Sequence, residues 1–322
     1  MKYRTALAKP FPRRAGLLPL AALLAAFTPA ILLPGRAADT VELKAKWPVG
    51  QRMVTQVTID TKQEITGAPT GPMKQIIGQV QEMAVDVVRE LDGGGRDIEL
   101  RFLTMKMDMK MGSISVLNYD SDKRASSPAN PLSGMLDKLA QARLYVELDA
   151  SGDVVEVEGL EDLMKGMTGP GMGASMLEGM FNKDSVKQMG VVPQGLPGKA
   201  MKVGDQWPYE IELKLGGMGT LVVAMNFTFS GMETKEDRNC AVLDYTGTMS
   251  TKPAGGNSPV SMSITAGAMK GKTWFDPEAG MVVAGTAEQS LKMKVSAMGQ
   301  QMDIDQTQTT SNKLVRVERI PR

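Results

Sequence analysis

The sequence predicts a mainly β protein: an antiparallel curved sheet or half-barrel, with a Met-rich helical segment in its middle. Three observations lead there. Apolar and polar residues alternate through run after run, which puts every second side chain on one face of a strand. Turn signals fall between the runs, among them Gly67-Ala68-Pro69, Gly93-Gly94-Gly95, Gly216-Gly217 and Pro253-Ala254-Gly255-Gly256. One run is also too long for a flat sheet. At ~3.3 Å per residue, a strand from Arg96 to Met111 would reach about 50 Å, against the usual ~17–20 Å. Its pattern changes phase as well. Ile98, Leu100 and Phe102 are apolar at even positions, whereas Leu103, Met105, Met107, Met109 and Met111 are apolar at odd ones. One face stays buried through that change only if the strand bulges near Phe102–Leu103.

The elements follow in order. A basic stretch (Lys2, Arg4, Lys9, Arg13, Arg14) precedes the apolar residues 15–34, and Gly35-Arg36-Ala37 supplies small residues ahead of cleavage after Ala37. That is the pattern of a secretory signal peptide. Pro19, Pro29 and Pro34 weigh against reading 15–34 as a membrane-spanning anchor, because they interrupt a continuous helix. Residues 38–158 form an N-terminal β-rich half, with strands at Val54–Ile65, Gln79–Leu91 and Arg96–Met111. Leu132, Met135, Leu136 and Leu139 follow helical spacing inside it. Residues 159–190 form an amphipathic helical segment. Leu160, Leu163, Met164 and Met167 share one face, and after the break at Gly169-Pro170-Gly171 so do Met172, Met176, Leu177, Met180 and Phe181. A connector, 191–202, leads into a C-terminal β-rich half, 203–322. Its strands are expected at Tyr209–Leu215, Thr220–Phe229, Ala241–Met249, Val260–Ala266, Lys272–Phe275, Val282–Val295 and Gln301–Val317.

The halves echo each other. WPVGQRMVTQVTI (47–59) stands beside VGDQWPYEIEL (203–213), and the turn at Asp149-Ala150-Ser151-Gly152 beside that at Asp276-Pro277-Glu278-Ala279-Gly280. The opening K-W-P-V-G-Q, the middle L-P-x-K-x-M-K-V-G-D-Q-W and the closing F-D-P-E-A-G-M-V resemble an uncharacterised family of exported bacterial β-rich proteins, a domain of unknown function. The resemblance implies a β-rich exported fold. It brings no activity, ligand or site residues with it.

Composition excludes several chemistries. The 322-residue chain has no His, which removes His-based nucleophilic triads and His-ligated metal sites. Removing residues 1–37 takes six basic and no acidic residues, leaving 31 Lys+Arg against 36 Asp+Glu, a net charge of −5. A mildly acidic chain has no electrostatic footprint for nucleic acid. The single Cys240 has no partner for an internal disulfide and reads as a small buried residue. AGAMKGKT (266–273) fits a loose phosphate-loop pattern, but Trp274-Phe275-Asp276-Pro277 follows where a helix would have to open, so no nucleotide is expected. Asn118–Asp122 and Asp149–Asp153 lack the spacing and the closing Glu of an EF-hand, and read as loops. The protein is read as non-catalytic and without a cofactor.

What remains is methionine: 26 Met against 7 Phe. Unbranched thioethers repack around irregular shapes. The candidate apolar groove comprises Met105, Met107, Met109 and Met111 on the long strand, with Met164, Met167, Met176 and Met180 on the helical segment as its cover. The partner expected there is an apolar small molecule or an envelope protein, in the periplasm or outside the cell. The alternatives are a structural envelope protein with no ligand, and a Cu(I) site made of the soft sulfurs.

Overall fold

Where apolar–polar alternation is sustained, the chain is strand, and the strands are long. The structure, a computed structural model, describes residues 40–68, 71–126, 131–167, 193, 195–215, 219–253, 260–297 and 300–320. The first half contributes β1 (Val41–Glu42), β2 (Gln51–Thr66), β3 (Met73–Glu90), β4 (Arg96–Met111), β5 (Ile114–Asp120), β6 (Arg143–Leu148) and β7 (Val154–Glu158). A short 3-10 segment (Ser121–Ser126) and helix α1 (Pro131–Gln141) lie between β5 and β6, and α2 (Leu160–Met167) follows β7. The second half contributes β8 (Ala200–Met201), β9 (Gln206–Lys214), β10 (Thr220–Lys235), β11 (Arg238–Lys252), β12 (Val260–Asp276), β13 (Met281–Ala297) and β14 (Gln300–Arg319). The leader expected at residues 1–37 and the helical positions expected at 172–181, with Met176 and Met180, lie outside the described residues.

Twelve strands form one antiparallel curved sheet that does not close into a barrel. Its order is β7-β6-β4-β3-β2-β14-β13-β12-β11-β10-β9, with β5 also on β4. Two meanders therefore meet along one seam, where β2 pairs β14 from Gln51↔Arg319 to Thr66↔Asp303. β1 and β8 pair separately.

The phase change in β4 is resolved by a bulge at the expected place. Glu82 faces Thr104 and Met83 faces Phe102, so Leu103 is the extra, unpaired residue. It returns Met105, Met107, Met109 and Met111 to the face of Ile98, Leu100 and Phe102. AGAMKGKT lies wholly within β12, where two separate strands were expected. Gly267 and Gly271 do not break that strand, because neighbours occupy the space above them. A Cβ on Gly271 would meet the Tyr245 ring and the Thr286 carbonyl, and one on Gly267 would meet Met249. Cross-strand side chains thus cover glycines whose own contribution to packing is nil.

The two faces differ chemically. The outer face carries cross-strand ion pairs such as Lys270–Glu288 (2.9 Å), Lys292–Asp305 (3.3 Å) and Lys294–Asp303 (3.3 Å). Such exposed pairs stabilise little, roughly 0–1 kcal/mol each. One outer-face group is different. Asp86 is almost fully buried, with Oδ1 accepting from Arg52 Nε (2.7 Å) and Oδ2 from Arg52 Nη2 (2.7 Å) and Arg101 Nη2 (2.9 Å). This cluster ties β2, β3 and β4 together. Burial alone would raise the Asp86 carboxyl, but the hydrogen bonds and charge of Arg52, with those of Arg101, hold it below the usual carboxylate range.

The inner face holds the core. At the first-half end, Val87, Ile98, Leu100, Leu144 and Val146 are buried beneath Leu136 of α1 and Leu160 and Leu163 of α2. At the other end, Phe229, Leu243 and Phe275 are buried with Leu43, Met201 and Trp207.

Replacing Asp86 with Ala leaves two guanidinium groups facing each other without their shared counter-ion, and should cost about 3 kcal/mol in denaturant unfolding at neutral pH. Its folded pKa is lowered, so its contribution is present above the unfolded value of ~4 and is lost as pH falls through the folded value. The gap between wild type and Asp86→Ala should therefore narrow on acidification below about pH 4. A gap that stays constant with pH would contradict this account.

Candidate binding site on the inner face

The site begins with the short segment ahead of β2. Leu43 N donates to Lys199 O (3.1 Å), and Gly198 N donates to Leu43 O (3.1 Å), which fixes this segment to the connector. Lys46 N then donates to Gly280 O (3.0 Å), while Lys46 Nζ donates to Pro277 O (3.0 Å) and Glu278 O (2.9 Å). Arg96 Nε donates to Trp47 O (3.1 Å), Gly50 N donates to Val87 O (2.8 Å), and β2 starts. Residues 41–50 are therefore a strap from the second-half core to the first-half core. Two sequence motifs meet there, K-W-P-V-G-Q and F-D-P-E-A-G.

The turn that receives the strap is built for it. Asp276 Oδ1 accepts from Glu278 N (2.9 Å) and Ala279 N (3.0 Å), and its Oδ2 accepts from Arg238 Nη1 (2.8 Å). Burial opposes the Asp276 charge, but these partners hold its carboxyl below the ordinary range. Gly280 has φ +69°, a left-handed conformation that favours glycine, and a Cβ there would run into Lys46. The matching turn at Asp149 is organised alike, with Asp149 Oδ1 accepting from Ser151 N (2.8 Å) and Asp153 N (2.9 Å). Neighbouring Cys240 is fully buried, and burial, with the Asp276 charge, pushes its thiol pKa up. It is a core residue rather than a nucleophile.

Above the strap, the inner face encloses a cavity of about 520 Å³. Val223, Met225 and Phe227 of β10, Ile211 and Leu213 of β9 and Met269 of β12 form one wall. Met53 and Thr55 of β2, Val85 of β3 and Leu314 of β14 form another, with Met281 and Trp47 at the strap end. Phe227 is held in an aromatic cluster. It stacks on Trp207 (5.7 Å between centroids) and tilts against Tyr245 (5.1 Å), and Trp207 Nε1 donates to Gly195 O (2.7 Å). Burial raises the phenol pKa of Tyr209 and Tyr245, and the Asp153 charge adds to the rise at Tyr209. Asp153 belongs to the turn near the opposite edge of the sheet, so curvature brings the β7 and β9 sides within electrostatic reach.

Between the two apolar ends runs an uncharged polar band. Gln63 Nε2 donates to Gln306 Oε1 (2.7 Å), Thr61 Oγ1 to Gln308 Oε1 (3.3 Å) and Gln79 Nε2 to Gln81 Oε1 (2.8 Å). These amides bond to one another across β2 and β14 and along β3, which is how polar groups are kept on a mostly apolar face.

Of the methionines expected to form a groove, the four on β4 are distributed along this face. Met105 is fully buried; Met107 and Met109 are half-buried, and all three pack with Leu132, Met135, Leu136 and Leu139 of α1. Met111 is half-buried at the far end of β4. Met164 and Met167 lie on α2. The cavity is lined by other methionines, Met53, Met225, Met269 and Met281. Alternation marks Met225 as inward-facing beside Val223 and Phe227. Which inward-facing residues border space rather than a neighbour depends on curvature, and periodicity carries no curvature.

The fold and this site define a class: an open antiparallel sheet curled around its own apolar face, with a cavity left in the trough. Within it, the chain belongs to the family of unknown function DUF6263, whose model matches residues 94–282, more than half its length. The matched region contains the middle motif ending at Trp207 and the closing motif beginning at Phe275. None of the curated proteins matches the sequence. Among solved structures, the chain is similar to lipovitellin, described for its lipid–protein interactions, at 8% identity and a TM-score of 0.46. That alignment covers 86% of this chain and 26% of the other, so the chain spans about a quarter of that protein's length. It is similar to a Bacteroides fragilis protein described as exported, with a YMCC-like fold, at 10% identity and a TM-score of 0.26, covering 87% and 100% of the two chains. It is also similar to a Vibrio parahaemolyticus domain described as an outer membrane lipoprotein-sorting protein, at 9% identity and a TM-score of 0.13, covering 86% and 87%.

The two ends of the Met stripe should respond differently to a carboxylate. Met105→Asp buries it among apolar side chains and should cost several kcal/mol, on the order of unfolding the domain. Met111→Asp leaves it hydrated and should change stability by less than about 1 kcal/mol. Equal destabilisation in circular-dichroism melts would show that the stripe is uniformly sealed.

Proposed function

We propose that the protein is an exported, non-catalytic binding protein that holds an apolar ligand, or an apolar segment of a polypeptide, in the trough of its sheet. The observation that carries this reading is the cavity itself. Side chains such as Val223, Met225, Ile211 and Met269 border about 520 Å³ of space, a volume within the ~300–1,000 Å³ typical of small-molecule sites. Burying apolar surface there is favourable at roughly 25 cal/mol per Å², and flexible methionines let the walls adapt to different occupants. The absence of His from the sequence supports a non-catalytic role, as does the uncharged polar band. Export rests on the basic and apolar pattern of residues 1–37, and the mature chain should begin near Ala38 when its N-terminus is read by mass spectrometry.

Binding is tested with Nile red, a neutral probe whose emission reports an apolar environment. Wild-type protein should bind it, and Met269→Asp should weaken binding by about tenfold, since the carboxylate must be desolvated by the occupant. The variant should keep its fold, because an open trough hydrates the carboxylate when empty. Failure of the wild type to bind, or unchanged affinity in a folded Met269→Asp, would overturn the proposal.

A further inference from the structure

The charge distribution around the cavity points to the head group of its occupant. Of the described residues whose side chains line it, Lys46 alone is charged, while Thr55, Gln289, Gln308 and Asn312 supply uncharged polarity. Lys46 is exposed at the strap end, and its Nζ is held by two backbone carbonyls, Pro277 O and Glu278 O. Both acceptors are neutral. An ammonium carries three N–H donors, so one remains after these two bonds. Of the two acids in that turn, Asp276 is already committed to Arg238 and to two backbone amides, and the exposed Glu278 meets Lys46 through its backbone carbonyl. On the outer face, by contrast, Lys270, Lys292 and Lys294 each have a carboxylate partner. Among the described residues, Lys46 has none. A cation held in place by the backbone, without a counter-ion, at the end of an apolar cavity is complementary to one anionic head with an apolar tail.

We propose that the cavity takes a single-chain amphiphile with a monoanionic head, its alkyl chain along the inner face and its head group at Lys46 Nζ; a fatty-acid carboxylate is the simplest member of this class. This rests on the apolar-binding reading above and adds the head-group chemistry to it. The third N–H of Lys46 donates to the head, and the two carbonyls hold the ammonium where the strap ends. The cation is exposed, so the gain is modest, about fivefold in affinity.

The test is a competition cycle at pH 8, in which dodecanoate and dodecanol each displace Nile red from wild type, Lys46→Met and Lys46→Arg. Between wild type and Lys46→Met, the ratio of the two displacement constants should shift about fivefold against dodecanoate, with dodecanol unchanged and Lys46→Arg close to wild type. Butyrate, an anion without a long tail, should not displace the probe. Should Lys46→Met fail to fold through loss of its turn contacts, a salt titration of the wild type decides instead. Dodecanoate affinity should fall with ionic strength while dodecanol affinity does not. A ratio that stays the same in a folded Lys46→Met, or a salt response shared by both ligands, would overturn the head-group assignment and leave apolar binding standing. Absence of Nile red binding by the wild type would remove both.

Discussion

A sheet with one apolar face has to bury that face, and no second sheet of comparable size lies among the described residues to do it. The organisation of this protein follows from that constraint. Bending one long antiparallel sheet turns its apolar face inward, where strands from its two ends can share a core. The lengths of β3, β4 and β12–β14 are what make such bending possible. The Leu103 bulge keeps β4 in phase while it bends, since one extra residue changes which side chains point inward.

Curvature alone does not seal the trough, and the two ends are closed by different devices. At the first-half end, α1 and α2 place Leu136, Leu160 and Leu163 over Met105, Ile98 and Leu100. At the second-half end, the connector around Gly195 packs against the Phe227 ring, and a side chain at Gly195 would collide with it. The strap then joins the two ends through backbone hydrogen bonds to both. Its docking needs a turn whose carbonyls point outward, and Asp276 arranges this by occupying that turn's amides with its own carboxylate. The cavity lies between these two ends, with Pro193 of the connector in its lining.

Electrostatics divides along the same surfaces. Cations on the outer face of the seam and its neighbours find carboxylates across strands, and Asp86 draws two arginines into one cluster at the base of β2–β4. Inside, polarity is supplied by uncharged amides and hydroxyls, several of which bond to one another. An amide on the inner face costs far less to desolvate than a charge, so the trough can hold an apolar occupant without first neutralising ionised groups. Lys46 departs from that rule, and for that reason it carries information about the occupant.

The β class, the strand at Arg96–Met111 with its bulge and the helix containing Leu136 were all legible in residue order, because each depends on which neighbours two or four positions away share a face. The motifs were legible too, as turn and strand-start signals, although their purpose was not: Lys46 and Gly280 are 234 positions apart, and no local pattern shows that they touch. Gly267 and Gly271 looked like an interruption of β12 for the same reason, since the Tyr245 and Met249 side chains that cover them come from another strand. The sequence by itself determined which residues alternate, where strands bend and which chemistries lack their residues, all consequences of local geometry and composition. Only the tertiary structure decided that Met105 is sealed while Met225 and Met269 border a cavity, because burial is set by the curvature of the whole sheet and by what crosses over it.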